Sequence, residues 1–127
     1  MKRIDIYFLV LATVLLLCGA GLGIKMGASE DFTLAPVHAH INLAGWASLA
    51  LFGLAYRAYP AMAERKLALF HFIISACAAV MLPIGIGFAI LKSQPGLAIA
   101  ASVLWVLGVL IFLFQLIGVL RTGPDAR

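Results

Sequence analysis

The sequence predicts an all-α integral membrane protein, a four-helix transmembrane bundle running up-down-up-down. Three observations predict it. Four apolar stretches, residues 6–24, 36–59, 67–91 and 97–120, each approach the ~20 residues that cross ~30 Å of hydrocarbon. The chain is 65% hydrophobic and 11% charged, with a mean hydropathy of +1.13, whereas a soluble domain carries about 25% charged residues on its surface and loops. The joining segments 25–35, 60–66 and 92–96 are short and polar or turn-rich, which makes consecutive helices antiparallel neighbours. All 127 residues are then one transmembrane domain.

Each element has its own signals. The first run, from Ile6 to Ile24 behind Met1, Lys2 and Arg3, exceeds the roughly 7–15 residues of a signal-peptide core, and no A-x-A-like site follows it. It reads as a span. Leu15-Leu16-Leu17-Cys18-Gly19 has the outline of a lipoprotein box, but the bulky Leu17 before the cysteine disfavours that use. Pro36 suits the first turn of the second helix and Pro60 ends it. In the third helix, Pro83 followed by Gly85 and Gly87 is expected to interrupt the outer half with a kink and to free a backbone carbonyl. Pro95 marks the start of the fourth. Strands are excluded because no run alternates apolar with polar, and an open sheet leaves its backbone unsatisfied in lipid.

The net charge of +4 does not point to nucleic acid, because the nine basic residues are dispersed at segment ends instead of forming one stripe. They act as topology determinants. With the N-terminus inside, Lys2, Arg3, Arg57, Arg65, Lys66, Arg121 and Arg127 are cytoplasmic, and only Lys25 and Lys92 are outside. The expected setting is a bacterial inner (cytoplasmic) membrane, with both termini cytoplasmic and lipid around the bundle. Cys18 and Cys77 lie in apolar runs and read as small hydrophobes, not as a disulfide.

Side chains are sorted by depth. The outer half is small: Gly19, Gly21, Gly23, Ala39, Ala44, Gly45, Gly85, Gly87, Ala98, Ala100, Ala101 and Ser102. The inner half is bulky, with Tyr7, Phe8, Phe52, Tyr56, Phe70, Phe72, Phe112 and Phe114. Gly19-x-x-x-Gly23 fits the motif that lets membrane helices approach closely. Small residues there serve either tight packing or room for a flat cofactor.

Ionisable groups in hydrocarbon are functional candidates by default. Asp5, Lys25, Arg57 and Lys92 sit at segment ends, which leaves His38, His40 and His71. Two helical positions rotate by roughly 200°, so His38 and His40 point to opposite sides of the second helix and cannot chelate one ion. Asn42 and Gly45 follow His38 on its face, and Ala44 and Ala47 follow His40. His71 lies one turn into the third helix, about 20 Å below His40 along the bundle, and reads as an interfacial or core histidine. Small residues beside an imidazole suit a haem macrocycle, which must lie against the helix for its iron to reach the ring.

The stretch Pro36-Val37-His38-Ala39-His40-Ile41-Asn42-Leu43-Ala44-Gly45-Trp46, continued by Leu51-Phe52-Gly53, Tyr56-Arg57 and Pro60, resembles small haem-copper oxidase subunit I-like membrane proteins. It covers about a fifth of the chain. The large subunits of that family have twelve helices in three four-helix arcs, and one of their helices carries an H-x-H whose imidazoles serve two different haems. The resemblance implies the same for His38 and His40, with Asn42, Ala44 and Gly45 beside the cofactor. An adjacent histidine pair for copper, and a tyrosine placed with it, are missing from this sequence, so oxygen reduction is not implied.

Four helices are a third of twelve, so a homotrimer would restore the subunit's helix count, with His38 of one chain facing His40 of the next across a bis-histidine haem b. The resemblance thus implies electron transfer, with a partner protein as donor or acceptor, or redox or gas sensing, by an oxidoreductase-like chain. Two alternatives stand beside it: copper or zinc held by rings of His38 or His40, and a non-catalytic assembly subunit. The charge count makes one prediction testable on its own. A reporter fused at Arg127 is expected to work only if it functions in the cytoplasm, and activity of a periplasm-dependent reporter there would overturn the topology.

Overall fold

Backbone groups in hydrocarbon must bond within their own segment, and the chain meets that demand by being helical nearly throughout. The computed structural model describes residues 3–122, so Lys2 and Arg127, two of the basic residues counted above, lie outside the described residues. The elements are α1 (Ile4–Ser29), α2 (Ala35–His40), a π-helical segment (Ile41–Ser48), α3 (Leu49–Ala58), α4 (Pro60–Glu64), α5 (Lys66–Lys92) and α6 (Gly96–Thr122). No strand occurs among the described residues.

Three helices, α1, α5 and α6, are long and apolar enough to cross a membrane. Their most apolar windows are only 22%, 33% and 17% buried within the chain. So much exposed apolar surface is stable only against lipid or another apolar surface. Leu17, Ile24, Leu51, Val103, Phe114 and Leu120 are among the large apolar side chains on that outer surface.

The second apolar stretch departs from expectation. It is a continuous helical path over 35–58, but its hydrogen bonding changes from α to π and back. Ser48 Oγ donates to Leu43 O at 2.8 Å, five residues back, in the wider π spacing. Two of the expected loops also contain helix. Residue 25 lies within α1, which runs on to Ser29 and ends at Glu30 in the left-handed region (φ 53°). The 60–66 connection contains α4. Tyr59 breaks the path there at φ −123°, ψ 75°, because the residue before a proline is pushed out of the α region, and Pro60 then opens α4. α5 runs unbroken through the buried Pro83, so the expected interruption of that helix does not appear in its helical pattern.

α1 packs along the π segment and α3, and α5 packs along α6 and α2. The half of the bundle nearest Ile4, called inner after the expected topology, is filled by aromatic rings: Phe8, Phe52, Phe72 and Phe112 meet at centroid distances of 4.5–5.8 Å in edge-to-face and tilted pairs. Tyr7, Phe70 and Phe114, counted with them in the sequence, face outward instead. The inner ends of the helices come together, since Asp5 on α1 pairs with Arg57 on α3 at 3.5 Å and Arg65 donates to Gln115 O on α6 at 3.3 Å. The Arg57 side chain is 69% exposed, so that pair adds little to stability.

In the outer half the small residues let backbones touch. At Gly85, an added Cβ would lie 2.7 Å from Ala98 Cα and closer still to Ala98 N, so α5 meets the start of α6 backbone to backbone. At Gly21 nothing lies within 4 Å of the same position. Gly85→Ala is therefore expected to destabilise the chain by about 1–3 kcal/mol through overpacking. Gly21→Ala should be neutral or stabilising by up to about 1 kcal/mol. Unfolding of the two variants in detergent checks this, and equal stabilities would contradict the close α5–α6 approach.

Candidate functional site

Both outer histidines sit on α2, whose first turn is set by Pro36. The helix places them on opposite sides, as the rotation of two α-helical positions requires. His38 turns toward α1. Its Nδ1–H donates to Gly19 O at 2.9 Å, and its ring fills a notch over Gly23, where a Cβ would come within 2.9 Å of the imidazole Cε1. Asn42, one turn on, donates from Nδ2 to His38 O at 2.9 Å and lies 3.4 Å from each ring nitrogen. Its amide occupies the space over Gly19, at 2.7 Å from a Cβ built there. Gly45 continues the same face against Leu15 of α1.

His40 turns the other way. Its Nδ1–H donates to Pro36 O at 2.8 Å, within its own helix. A carbonyl only accepts, so each imidazole carries its neutral-state proton on Nδ1 and keeps the lone pair on Nε2. A main-chain carbonyl holding Nδ1–H is the usual support for a histidine that ligates through Nε2. The His40 side faces an open groove of about 360 Å³, walled by the buried Ala44 with Leu82 of α5 and Ser102, Trp105 and Val106 of α6. That volume is at the small end of the roughly 300–1,000 Å³ of ligand sites.

The five residues singled out in the sequence thus form two groups. His38, Asn42 and Gly45 face α1, while His40 and Ala44 face α5 and α6. The notches at Gly19, Gly23, Gly45 and Gly85 are each closed by atoms of this chain, so at those positions the small residues serve packing. His40 fits an axial ligand: its Nε2 is free, a small residue stands beside it, and a groove opens in front. His38 as it lies is turned against α1 of its own chain.

His71 belongs to neither group. It is fully buried, with Phe8, Phe52 and Phe112 around its ring at 4.9–5.5 Å and Tyr56 Oη 2.9 Å from Nδ1. Phe8 and Gly19 are eleven positions apart on α1, about 16 Å of helix, so His71 is far from His38. Sequence reasoning missed Gln115, fully buried, whose Nε2 donates to Tyr56 Oη. Its signal was present: it is the one amide in the fourth apolar run. Cys18 and Cys77 are free and exposed on the outer surface of the helices. Among the described residues no group of three or more His, Cys, Asp or Glu side chains is placed to hold a metal ion.

No protein family, curated protein or solved structure matches this chain.

The two histidines differ in what they do for the fold. His38→Ala removes an interhelix bond and empties the notch over Gly23, and is expected to cost about 1–3 kcal/mol. His40→Ala removes a bond local to one helix at a half-exposed position and should cost less than about 0.5 kcal/mol. Unfolding of both variants in the same detergent, without added ligand, checks the difference. A larger loss for His40→Ala would overturn the two-sided assignment.

Proposed function

We propose that the chain is a haem b-binding membrane protein in which His40 supplies an axial ligand at an interface between copies. The observation that carries this is the His40 imidazole itself: Nδ1–H held by Pro36 O at 2.8 Å, Nε2 free, and a mostly apolar groove in front of it, lined also by Ser48 and Ser102. In this proposal the helical path over 35–58, about 35 Å long at ~1.5 Å per residue, is a fourth crossing, completing a bundle with α1, α5 and α6.

Haem, when bound, supplies one-electron transfer or the capture of a small gas. The chain's own residues do the rest. Pro36 O fixes the tautomer and ring angle of His40, and a carbonyl in that position raises the imidazole's basicity toward iron. Ala44, one turn below, lets a flat group lie close to the helix, and Leu82 and Trp105 keep water from it.

The resemblance gives the second axial position to His38 of the neighbouring chain, in a homotrimer. That geometry asks His38 to leave its bond to Gly19. Two His40 rings from copies related by a two-fold ask for no such change, and an isologous interface brings the same residue from each side. Ligation between subunits is common to both arrangements. A copper or zinc site also requires several chains, because one chain brings no three-donor group together among the described residues.

Absorbance and metal content of the detergent-purified protein test the proposal. A red protein with a six-coordinate bis-histidine spectrum is expected, with His40→Ala losing haem or becoming five-coordinate and His71→Ala unchanged. His38→Ala separates the arrangements: it abolishes the spectrum if His38 is a ligand and preserves it if two His40 rings are. A colourless protein with copper or zinc bound would replace haem by that metal. A six-coordinate haem in a monomer, or no haem and no metal, would overturn the proposal.

A further inference from the structure

Hydroxyls in these helices follow one habit. Thr13, Ser29, Ser48 and Ser102 each donate to a carbonyl four or five residues back, at 2.8–2.9 Å. Ser75 does not. Its Oγ is fully buried without a partner and is turned at the α6 backbone, where a Cβ on Gly108 would lie 2.6 Å from it. Two other buried atoms share this condition: His71 Nε2, one turn toward the inner end of α5, and Gln115 Oε1 on α6. All three residues are 0% exposed. Each unpaired group costs about 1–3 kcal/mol if nothing meets it, and internal water is the usual remedy.

The bonds that do form give the column a direction. Gln115 Nε2–H donates to the Tyr56 oxygen, and that oxygen lies 2.9 Å from His71 Nδ1. With the Tyr56 O–H donating in that bond, the neutral ring carries its proton on Nε2, the opposite tautomer to His38 and His40, and presents an unmet donor. At the inner end, Tyr56 is also part of the wall of a pocket of about 300 Å³, shared with Asp5, Arg57, Pro60 and Glu64. The charged groups near the column come from that end: Arg3 just before α1, Asp5 in its first turn, Arg57 on α3, Glu64 on α4, and Arg65, which bonds Gln115 O. On its other sides the imidazole meets the rings of Phe8, Phe52 and Phe112.

We propose that Gln115, Tyr56, His71 and Ser75 form an internal water site, filled from the inner-end pocket, which puts the buried imidazole in proton exchange with that side of the membrane. Water at the site accepts from His71 Nε2–H and bonds Ser75 Oγ and Gln115 Oε1. Protons move in a closed relay without net charge: Tyr56 O–H passes its proton to His71 Nδ1, Nε2–H gives one to the site water, and that water's extra proton returns to the Tyr56 oxygen through the water that joins the site to the pocket. The ring stays neutral and changes tautomer, and the reverse sequence resets it. Nothing in this site depends on a group at His40, so either proposal can fail alone.

The test is nitrogen NMR of the full chain, labelled in its histidine rings and embedded in lipid nanodiscs, with the His71 signals identified by their loss in His71→Phe. The His71 Nε2 proton is expected to exchange with water and to show a magnetisation-transfer contact to it. Tyr56→Phe should slow that exchange about tenfold or more, the effect of one lost hydrogen bond on a rate, while the α5 backbone amides are unchanged. Ser75→Ala should shift the Nε2 resonance. A ring proton that neither exchanges nor contacts water in the unaltered protein would overturn the site, with no variant needed. Equal exchange rates in the unaltered protein and Tyr56→Phe would overturn the route.

Discussion

A polar atom in hydrocarbon has no solvent to fall back on, and nearly every feature of this chain follows from how each such atom is met. The backbone is met by helix. Four helix hydroxyls are met by carbonyls of the preceding turn. The imidazole of His38 is met by a carbonyl that belongs to another helix, Gly19 O, and that single bond fixes how α2 lies on α1. Only a helix without side chains at Gly19 and Gly23 exposes this carbonyl to a ring, because a Cβ at either place would displace His38 or Asn42. Polar satisfaction and close packing are therefore one requirement at this contact.

The same requirement sorts the chain by depth. At the outer end, polar side chains are short of space and lean on glycine backbones. At the inner end they are spaced by aromatic rings, and Tyr56, His71 and Gln115 bond one another in a shell of Phe8, Phe52 and Phe112. The histidines accordingly have different characters. His71 is sealed in a core, His38 is a brace between helices, and His40 alone keeps both a supported ring and an open side.

Much of this was legible in the sequence. Hydropathy located the three helices long and apolar enough to cross a membrane, α1, α5 and α6, and the helical path over 35–58, because apolar runs of that length favour helix. The opposite facing of His38 and His40, and the shared face of His38 with Asn42 and Gly45, followed from helix geometry alone. What the small outer residues do was not legible: a glycine stripe reads the same whether a cofactor or a neighbouring side chain fills it, and only the placement of Asn42, His38, Leu15 and Ala98 decides. The Tyr56 and Gln115 bond was hidden because it joins residues 59 positions apart, with no local pattern linking them. The helix in 60–66 was hidden behind its proline, which reads equally as a stop and as a first turn.

The π segment has a consequence for how the two ends of its helix relate. A π turn holds more residues than an α turn, so Ile41–Ser48 turns everything after it relative to everything before it. Upstream stand His38 and His40, and downstream stand Phe52 and Tyr56 in the aromatic core. The segment thus works as a phase adjuster between two gears on one shaft. Each end can mesh with its own neighbours, α1 and the outer groove above, the His71 layer below, without compromise at the other. A sequence that kept all its residues but wound evenly as α-helix here would arrive at the core out of step, with Tyr56 aimed away from His71. Loss of one residue, by contrast, would let even α winding bring the core residues back near their present phase.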